Sequence, residues 1–442
     1  MSDKTFVGGI HPYDGKDLSK DKPIRVVLPN GELVYPLAQH IGAPATPIVS
    51  KGDKVLAGQR IAAAVGFVSA PIYATVSGTV KAIEPRRVVT GDMVMSIIIE
   101  NDGLYDEVDY PPVKPLAEMS RAEIVECVKE AGIVGMGGAG FPTFIKLSPP
   151  DPDAIRYVCV NCAECEPYLT SDYRRILEET ERLIGGLRVY LALFPKARGI
   201  FAVEDNKPDC IKLLKELIRD EPRMSVTALK TKYPQGAERQ LIYAVTGRAI
   251  NSSMLPADVG CVVSNVDTVI TVNRAVNEGK PMMYRVVTVT GDAIVDPVNF
   301  IVRIGTNYNQ LLEEAGGFRK KPAKVISGGP MMGFALFDTN VPTTKTASAL
   351  LCLTADAVAD LEPTACINCG KCAEVCPGRV LPSRLAVYAD HGREEEFLRL
   401  NGMECCECGC CSYVCPAKRH LTQSIKSMRK MQLAKRKKEA KK

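Results

Sequence analysis

The spacing of apolar and polar residues divides this chain into stretches of different kinds. Residues 31–100 consist of short apolar runs, broken every few positions by Gly and Pro, as in a small domain built from short strands. Farther along, helical periodicity over 176–194 and 208–220 alternates with strand-like runs over 198–204 and 225–230. This alternation predicts a layered α/β domain in the middle of the chain.

The pattern changes again in the later part of the chain. The mostly apolar run over 260–272 is interrupted by polar residues such as Asn265 and Asp267, which predicts a buried loop that contacts a ligand, or else a plain turn. After Met282 the sequence reads as strands with one short helix, which predicts a small β-rich module. We therefore expect a multidomain α/β and α+β chain, with segments at 1–30, 31–110, 115–282, 283–345, 346–416 and 417–442.

A glycine-rich stretch follows a predicted helix over 121–131. Gly135, Gly137 and Gly140 fit the pattern G-x-G-x-x-G, which in dinucleotide-binding folds follows a strand and directly opens a helix. Here a helix precedes the pattern and Pro142 follows it, so an ordinary turn of that fold is not expected. The stretch instead predicts a loop whose exposed N–H groups cradle a phosphate or a flavin, or else a flexible surface loop.

Composition and charge argue against nucleic-acid binding. The chain has 442 residues, no Trp and 6% aromatic residues, so stacking surfaces for single-stranded nucleic acid are not expected. Eleven basic residues lie in 417–442 against one acid, Glu439, which leaves 45 basic and 50 acidic residues in the body of the chain. A mildly acidic body lacks the basic face of a nucleic-acid-binding domain, and we expect no nucleic acid partner.

We expect neither a signal peptide nor a transmembrane helix. The chain begins with MSDKTFVGG, which lacks the charged and then apolar pattern of a signal peptide. No apolar run approaches the roughly 18 residues that span a bilayer. In a chain kept in the cytosol, the 17 Cys are expected to be reduced thiols with metal or redox roles.

The strongest chemical signal is a repeated cysteine motif. Residues 366–377 and 405–416 each contain the spacing C-x2-C-x2-C-x3-C-P. In proteins with two [4Fe–4S] clusters, the first three Cys of such a motif bind one cluster and the fourth binds the other. Zinc is the alternative, although zinc sites usually pair two C-x2-C units. The expected ligand sets are Cys366, Cys369 and Cys372 with Cys415, and Cys405, Cys408 and Cys411 with Cys376.

A third group of cysteines lies at the end of a strand-like run. Cys159, Cys162 and Cys165 also have the spacing C-x2-C-x2-C, but no C-P follows, so we favour the absence of a cluster and leave metal binding open. Glu164 and Glu166 flank Cys165 near the end of the strand, where open α/β sheets bind ligands. The alternative for both glutamates is an exposed surface charge.

Five further motifs accompany the two cysteine motifs: GGIHP (8–12), GMGGAGFPT (135–143), ECEPY (164–168), SNVDT (264–268) and GGPMMG (328–333). Together they resemble, over nearly the whole chain, the C subunit of the Rnf complex, the ion-translocating ferredoxin:NAD oxidoreductase of bacterial membranes. The central segment is also similar to the flavin- and NADH-binding subunit of respiratory complex I. Two positions depart from that subunit, since Met136 replaces an arginine of its flavin loop and Ala163 replaces an aspartate beside the flavin.

The resemblance implies a fold and a set of site residues. It implies a barrel-sandwich-like β domain, a complex I flavoprotein-like α/β domain, a β-grasp (SLBB) domain and a two-cluster bacterial ferredoxin-like domain, between an N-terminal arm and a basic tail. Glu166 is implied beside the nicotinamide ribose, as the catalytic residue. The implied FMN-binding residues are Gly135, Gly137, Gly138, Gly140, Phe141, Lys146, Asn161, Glu164, Asn265 and Thr268.

The resemblance also implies a function. Electrons would pass between ferredoxin-derived carriers, two [4Fe–4S] clusters, FMN and NAD(H), while other subunits translocate ions. The implied partners are the other membrane and iron–sulfur subunits of the complex, with ferredoxin as an indirect partner, at the cytoplasmic side of the membrane. Two alternatives are a soluble flavin/iron–sulfur cobalamin reductase and a non-enzymatic iron–sulfur electron carrier.

The basic segment at the end of the chain has a helical pattern of its own. Leu421, Ile425 and Met428 recur at helical spacing, which predicts an amphipathic helix. Such a helix is able to lie near anionic lipid headgroups or to dock on acidic membrane subunits. A solvated, frayed terminus is the alternative.

Overall fold

The computed structural model describes residues 4–356 and 358–439. Residues 1–3 of the predicted arm, residue 357 and residues 440–442 of the predicted tail lie outside the described residues. Within the described part, the strands gather into separate sheets, and helices pack on the central parallel sheet. The mixed α/β and α+β class predicted from the sequence is confirmed.

The N-terminal β domain forms because alternate residues of its strands point inward. Leu33 and Tyr35 are buried, and they pair in register with Ile99 and Ile97 of the neighbouring strand. These four side chains belong to the same apolar core, which confirms the small β domain predicted from the short apolar runs. One sheet contains Glu32–Pro36, Met93–Asn101, Gly78–Arg87 and Lys54–Val55, and the other contains Thr46–Pro47, Arg60–Ala63 and Ile72–Tyr73.

The central domain is built on a parallel sheet that is apolar on both faces. Its strands follow the order Met224–Leu229, Arg198–Glu204, Tyr157–Cys162 and Cys261–Asn265. The chain starts at Tyr157–Cys162, extends the sheet to one side and then adds Cys261–Asn265 on the other, so the order reverses at the first strand. The helices of this domain are Arg121–Glu130, Thr143–Lys146, Ser171–Glu178, Thr180–Leu193, Pro208–Leu217, Glu238–Thr246 and Val266–Glu278.

The predicted loop or turn within 260–272 was wrong. The strand Cys261–Asn265 runs directly into the helix Val266–Glu278, and the polar residues mark this junction. The side chain of Asn265 accepts a hydrogen bond from the backbone N–H of Asp267 at 2.8 Å and thereby caps the helix. An apolar run with a capping residue inside it thus contains two elements, both buried.

The β-grasp module contains a mixed sheet that takes in a piece of the N-terminal arm. Arg25–Val26 pairs in parallel with Val298–Arg303, which the sequence did not predict. The helix Tyr308–Glu314 covers the sheet, and Tyr308 and Leu311 are buried in the core. After Arg25–Val26 and Val298–Arg303, the sheet continues with Tyr284–Thr290, Ala349–Leu353, Lys324–Ser327 and Phe334–Leu336.

The cysteine-rich region folds around the final helix, Leu421–Glu439. Leu421, Ile425 and Met428 of that helix are buried against a core that includes Leu385 and Phe397. The helical spacing predicted for this segment is confirmed, and its apolar face packs against the protein. Shorter helices are Lys371–Glu374, Pro382–Asp390, Glu394–Arg399 and Cys410–Tyr413, and 3₁₀ turns occur at Lys16–Leu18, Leu116–Glu118, Pro152–Ala154, Pro256–Val259 and Gly402–Glu404.

Among the described residues, none of the helices is both long and apolar enough to cross a membrane.

Candidate functional site

Two asparagines mark the point where the strand order of the parallel sheet reverses. Asn161 and Asn265 lie opposite each other in register, at the carboxyl ends of neighbouring strands. The strand order reverses between these two strands, and ligands of open α/β folds bind outside the carboxyl ends of the strands at such a reversal, in the space called the crevice here. Both residues were predicted as flavin contacts, and the structure brings them together.

A glycine loop approaches each asparagine. A Cβ atom on Gly137 would lie 3.0 Å from Nδ2 of Asn265, and one on Gly236 would lie 3.3 Å from Oδ1 of Asn161. Gly236 also accepts a hydrogen bond from Nδ2 of Asn161, at 2.8 Å. Gly236 was not predicted, because a lone Gly between Gln235 and Ala237 carries no local pattern.

The loop from Gly135 to Phe141 is fixed at its base and open at its tip. The N–H of Gly135 donates to the carbonyl of Phe141 at 2.7 Å, and the N–H of Met136 donates to Oγ1 of Thr268 at 3.0 Å. At the tip, a Cβ on Gly138 would meet nothing within 4 Å. The tip therefore offers bare backbone beside the crevice.

Gly140 has a different environment from the other glycines of the loop. It has a φ of +72°, and a Cβ there would lie 2.8 Å from the Thr346 side chain and 3.3 Å from Cα of His40. The positive φ favours glycine here, and Thr346 together with His40 of the N-terminal β domain leaves little room for a side chain. A contact of Gly140 with FMN stays a prediction.

The crevice fits a flavin by its free space and its donors. The loop tip at Gly138 is exposed and leaves open space around its backbone, and the buried hydroxyl of Thr143, just after the loop, has no hydrogen-bond partner among the described residues. Nζ of Lys146 lies 3.2 Å from Glu238 and 3.4 Å from the carbonyl of Val263. These contacts hold the positive charge of Lys146 beside the strand Cys261–Asn265. Backbone N–H groups and a cation suit the anionic phosphate of a flavin nucleotide.

Glu164 is buried beneath the crevice and caps a helix. Its carboxylate accepts hydrogen bonds from the backbone N–H groups of Asp172 at 2.7 Å and Tyr173 at 3.3 Å. Burial raises the pKa of Glu164, and the positive charges of Lys16 and Lys207 oppose that rise. The surface-charge alternative for Glu164 is wrong, because the side chain is only 3% exposed.

Two buried lysines hold the segment that contains Glu164. Nζ of Lys16 donates to the carbonyls of Glu164 at 2.9 Å and Leu169 at 2.5 Å. Nζ of Lys207 donates to the carbonyl of Ala163 at 2.7 Å. Sequence reasoning missed both lysines, because their acceptors are backbone carbonyls far away in the chain.

Glu166 connects the α/β domain to the β-grasp module. Its Oε1 accepts hydrogen bonds from the backbone N–H groups of Met331 at 2.7 Å and Met332 at 3.2 Å. A Cβ on Gly329 would lie 2.1 Å from Cγ of Glu166, so the GGPMMG loop wraps closely around this side chain. Burial raises the pKa of Glu166. Its contact with the nicotinamide ribose stays a prediction.

Charged groups extend from the crevice into the core. Oδ2 of Asp172 accepts a hydrogen bond from Nδ2 of Asn265 at 2.5 Å. Burial, and after it the negative charges of Glu164 and Asp267, raise the pKa of Asp172 to about 8. Asp267 in turn pairs with the buried guanidinium of Arg175, at 2.5 Å. This network fixes the amide of Asn265 in orientation.

The second cysteine motif lines a cavity together with the last cysteine of the first motif. The cavity is bounded by five cysteines and mostly apolar neighbours, including Val380 and Ile425. Sulfur ligands in apolar surroundings are the donor set of an iron–sulfur cluster. In the described part of the chain, no three Cys, His, Asp or Glu side chains converge as tightly as a single metal ion needs. Four of the five cysteines, Cys376, Cys405, Cys408 and Cys411, form one of the two predicted sets, and the fifth is Cys406, which lies outside the motif spacing.

The other predicted set lies at the surface. Cys366 and Cys369 are exposed, whereas Cys372 and Cys415 are half-buried. The N–H of Thr364 donates to the carbonyl of Ala417 at 3.0 Å, which holds the start of the first motif beside the end of the second. The chain therefore brings the neighbourhoods of Cys366 and Cys415 together, as cross-ligation requires.

The third group of cysteines is spread over two faces of a sheet. Cys159 packs in the core on one side of the strand Tyr157–Cys162, and Cys162 packs in the core on the other side. The thiol of Cys165 accepts a hydrogen bond from the N–H of Gly236 at 3.2 Å. The strand geometry thus separates these thiols.

Comparisons with family models cover most of the chain. The matching models are described as the RnfC barrel sandwich hybrid domain over residues 4–104, the Nuo51 FMN-binding domain over 128–274, the SLBB domain over 286–335 and a 4Fe-4S binding domain over 360–381. Their order along the chain is the order of the domains described above.

Curated relatives match along almost the full length. The chain is 45% identical to the C subunit of the Na(+)-translocating ferredoxin:NAD(+) oxidoreductase complex of Acetobacterium woodii, over 98% of each chain. It is 43% identical to the proton-translocating counterpart from Clostridium ljungdahlii, over 87% of this chain and 84% of the relative. An NAD+-reducing [NiFe]-hydrogenase structure is similar with a TM-score of 0.49 and 20% identity, over 66% of this chain and 57% of that chain.

Proposed function

We propose that this chain, which belongs to the family of C subunits of ion-translocating ferredoxin:NAD(+) oxidoreductases, passes electrons between NAD(H) and the one-electron carriers of such a complex. FMN and two [4Fe–4S] clusters are its cofactors, in the domains matched by the FMN-binding and 4Fe-4S families. Ion translocation belongs to other subunits. Nicotinamide exchanges two electrons as a hydride and a cluster exchanges one, and a flavin supplies the conversion between them.

One observation carries this proposal, namely that the flavin-type crevice and the cysteine cavity adjoin each other. Gly236 contacts Asn161 in the crevice, and Tyr233, three residues earlier, donates its hydroxyl hydrogen bond to the carbonyl of Cys408 at 2.7 Å. Two separate binding modules would not need to share such a short segment. A single electron path explains it.

The two cysteine sets differ in exposure, and this difference indicates which cluster exchanges electrons with FMN and which with partner subunits. The set of Cys376, Cys405, Cys408 and Cys411 adjoins the crevice, and Cys408 and Cys411 are only 8% exposed. The other set contains the exposed Cys366 and Cys369, next to Ile367, which is 67% exposed. We assign the buried set to exchange with FMN and the exposed set to exchange with iron–sulfur partner subunits.

Purification without oxygen tests the proposal. The full chain, isolated anaerobically, is expected to contain FMN and the iron and sulfide of two [4Fe–4S] clusters, and to reduce ferricyanide with NADH. Iron without flavin, together with no NADH-dependent reduction, would favour the non-enzymatic carrier instead. Zinc in place of iron would contradict the cluster assignment.

We further propose that the chain lies peripherally at the cytoplasmic side of the membrane, since its relatives are named as subunits of ion-translocating complexes. The helix Leu421–Glu439 buries its apolar face, so attraction must come from its exposed basic residues Lys430, Arg436 and Lys438. Changing these three to Glu should weaken co-sedimentation with membranes, most of all at low salt. Unchanged sedimentation at every salt concentration would assign docking to the folded domains.

A further inference from the structure

The segment Gly8–Ile10, called here the arm segment, lies between the cysteine-rich region and the α/β domain. The N–H of Gly9 donates to the carbonyl of Val375, which precedes Cys376, at 2.8 Å. On its other side, Ile10 and Tyr233 exchange backbone hydrogen bonds of 2.8 and 2.9 Å. The arm segment therefore joins the last ligand of the first cysteine motif to Tyr233.

Both glycines of the arm segment are required by close backbone contacts. Gly8 has a φ of +86°, and a Cβ there would lie 2.9 Å from the carbonyl oxygen of Val375. Gly9 has a φ of +84°, and a Cβ there would lie 2.7 Å from the carbonyl oxygen of Tyr233. A side chain at either position must push the two neighbouring backbones apart. This explains the GGIHP motif, which the proposed flavin and cluster sites leave without a role.

Tyr233 continues the connection into the flavin-type crevice. Its side chain is 2% exposed, its hydroxyl donates to the carbonyl of Cys408, and its own carbonyl accepts from the thiol of Cys410 at 3.9 Å. Three residues farther on, the carbonyl of Gly236 accepts from Nδ2 of Asn161. A short, bonded segment thus runs from a cluster ligand to the floor of the crevice.

We propose that the arm segment and Tyr233 position the buried cysteine set against the flavin, and that they set the rate at which electrons pass between the two. The inference rests on the proposed function. With these groups bound, NADH would transfer a hydride, which is two electrons and a proton, to the flavin. The reduced flavin would release a proton to solvent and its two electrons one at a time to the cluster held by Cys376, Cys405, Cys408 and Cys411, and that cluster would pass the first electron to the other cluster before it accepts the second.

Gly9→Ala in the full chain tests the positioning role. NADH is mixed with the protein in a stopped-flow instrument, and flavin and cluster absorbance are followed separately. The flavin should be reduced at the wild-type rate, whereas cluster reduction should slow severalfold, because a Cβ on Gly9 must push the neighbouring backbones apart and electron transfer weakens as the distance between the two groups grows. Gly52→Ala is the matched control, since Gly52 has a φ of +96° and a Cβ there would meet nothing within 4 Å.

Tyr233 supplies a second variant that preserves the glycines. Tyr233→Leu removes both the ring and the hydrogen bond to the carbonyl of Cys408, and it should slow cluster reduction. Tyr233→Phe keeps the ring and loses only that hydrogen bond, so its rate should lie between those of Tyr233→Leu and the wild type. Iron, flavin and the reduction potentials of both clusters, measured by EPR titration, should match the wild type. A change in potential instead of rate would make the effect one of tuning and would overturn the positioning role.

The outcomes separate this inference from the proposed function. If wild-type clusters accept no electrons from NADH, the proposed function fails. If they do, and cluster reduction in Gly9→Ala and Tyr233→Leu keeps the wild-type rate with full iron and flavin, the positioning role fails while the function stands.

Discussion

Replacing Gly138 with Ala tests the proposed flavin site with little disturbance of the fold. Gly138 lies outside the left-handed region of φ, and a Cβ there would meet nothing within 4 Å. The added methyl group therefore strains neither the backbone nor a neighbour. It occupies the space beside the crevice that a flavin would fill.

The substitution should affect the free energy of unfolding and the affinity for FMN differently. The free energy of unfolding of the FMN-free protein should change by less than about 1 kcal/mol, because Ala at a compatible φ acts mainly on the unfolded chain. The affinity for FMN should fall, since overpacking a close-fitting site costs about 1–3 kcal/mol. That cost corresponds to a Kd that is higher by roughly 5- to 150-fold.

Flavin fluorescence and thermal denaturation measure both quantities. FMN-depleted protein is titrated with FMN, and the quenching gives the Kd for each variant. Gly137→Ala and Gly66→Ala are compared, because their φ values of +73° and +72° predict a similar backbone cost of about 1–2 kcal/mol. Only Gly137→Ala should also weaken FMN binding. Wild-type affinity in a folded Gly138→Ala protein would refute the site.

Three further outcomes follow from the structure. Cys376→Ser should remove the EPR signal of the cluster held by the second motif and leave the other, and loss of the cluster nearest in sequence would contradict cross-ligation. Glu166→Gln should slow the reduction of flavin by NADH. FMN and iron should stay bound, because the Gln side chain still accepts the hydrogen bond from the N–H of Met331, and unchanged kinetics would remove Glu166 from the nicotinamide site. Burial lowers the pKa of Lys345 from 10.5 to about 7, so between these values the unfolded chain binds more protons than the folded chain. In denaturant titrations, the free energy of unfolding of the wild type, taken relative to Lys345→Met, should rise by up to about 5 kcal/mol as the pH rises from about 7 to 10.5. A difference between the two proteins that does not vary with pH would contradict a buried amine.

Features that depend on short sequence spacing could be predicted. The repeated cysteine motif requires its residues within one loop and one helical turn, so the ligand candidates are local. The helix predicted over 121–131, with Gly132 as its stop, is local as well, and the structure adds a capping box between Ser120 and Glu123 at its start. Short apolar runs bounded by Gly and Pro also predicted the strands of the N-terminal β domain, because both the runs and the turns between them are local.

Features that depend on distant backbone contacts could not be predicted. Lys16 and Lys345 read as ordinary exposed lysines, but both are buried, and their ammonium groups donate to carbonyls more than 140 and 200 residues away, respectively. A backbone carbonyl leaves no mark in the sequence. The same holds for Gly236 and Tyr233, whose importance comes from what the folded chain places beside them.

Comparing flavin-loaded with flavin-depleted protein tests the central claim most directly. NADH is added anaerobically to both forms of the full chain, each carrying its clusters, and cluster reduction is recorded by EPR after rapid freezing. We predict that the loaded protein reduces its flavin first and its clusters afterwards, and that the depleted protein reduces neither cluster until FMN is restored. Cluster reduction by NADH at equal rates in both forms would contradict an electron path through FMN.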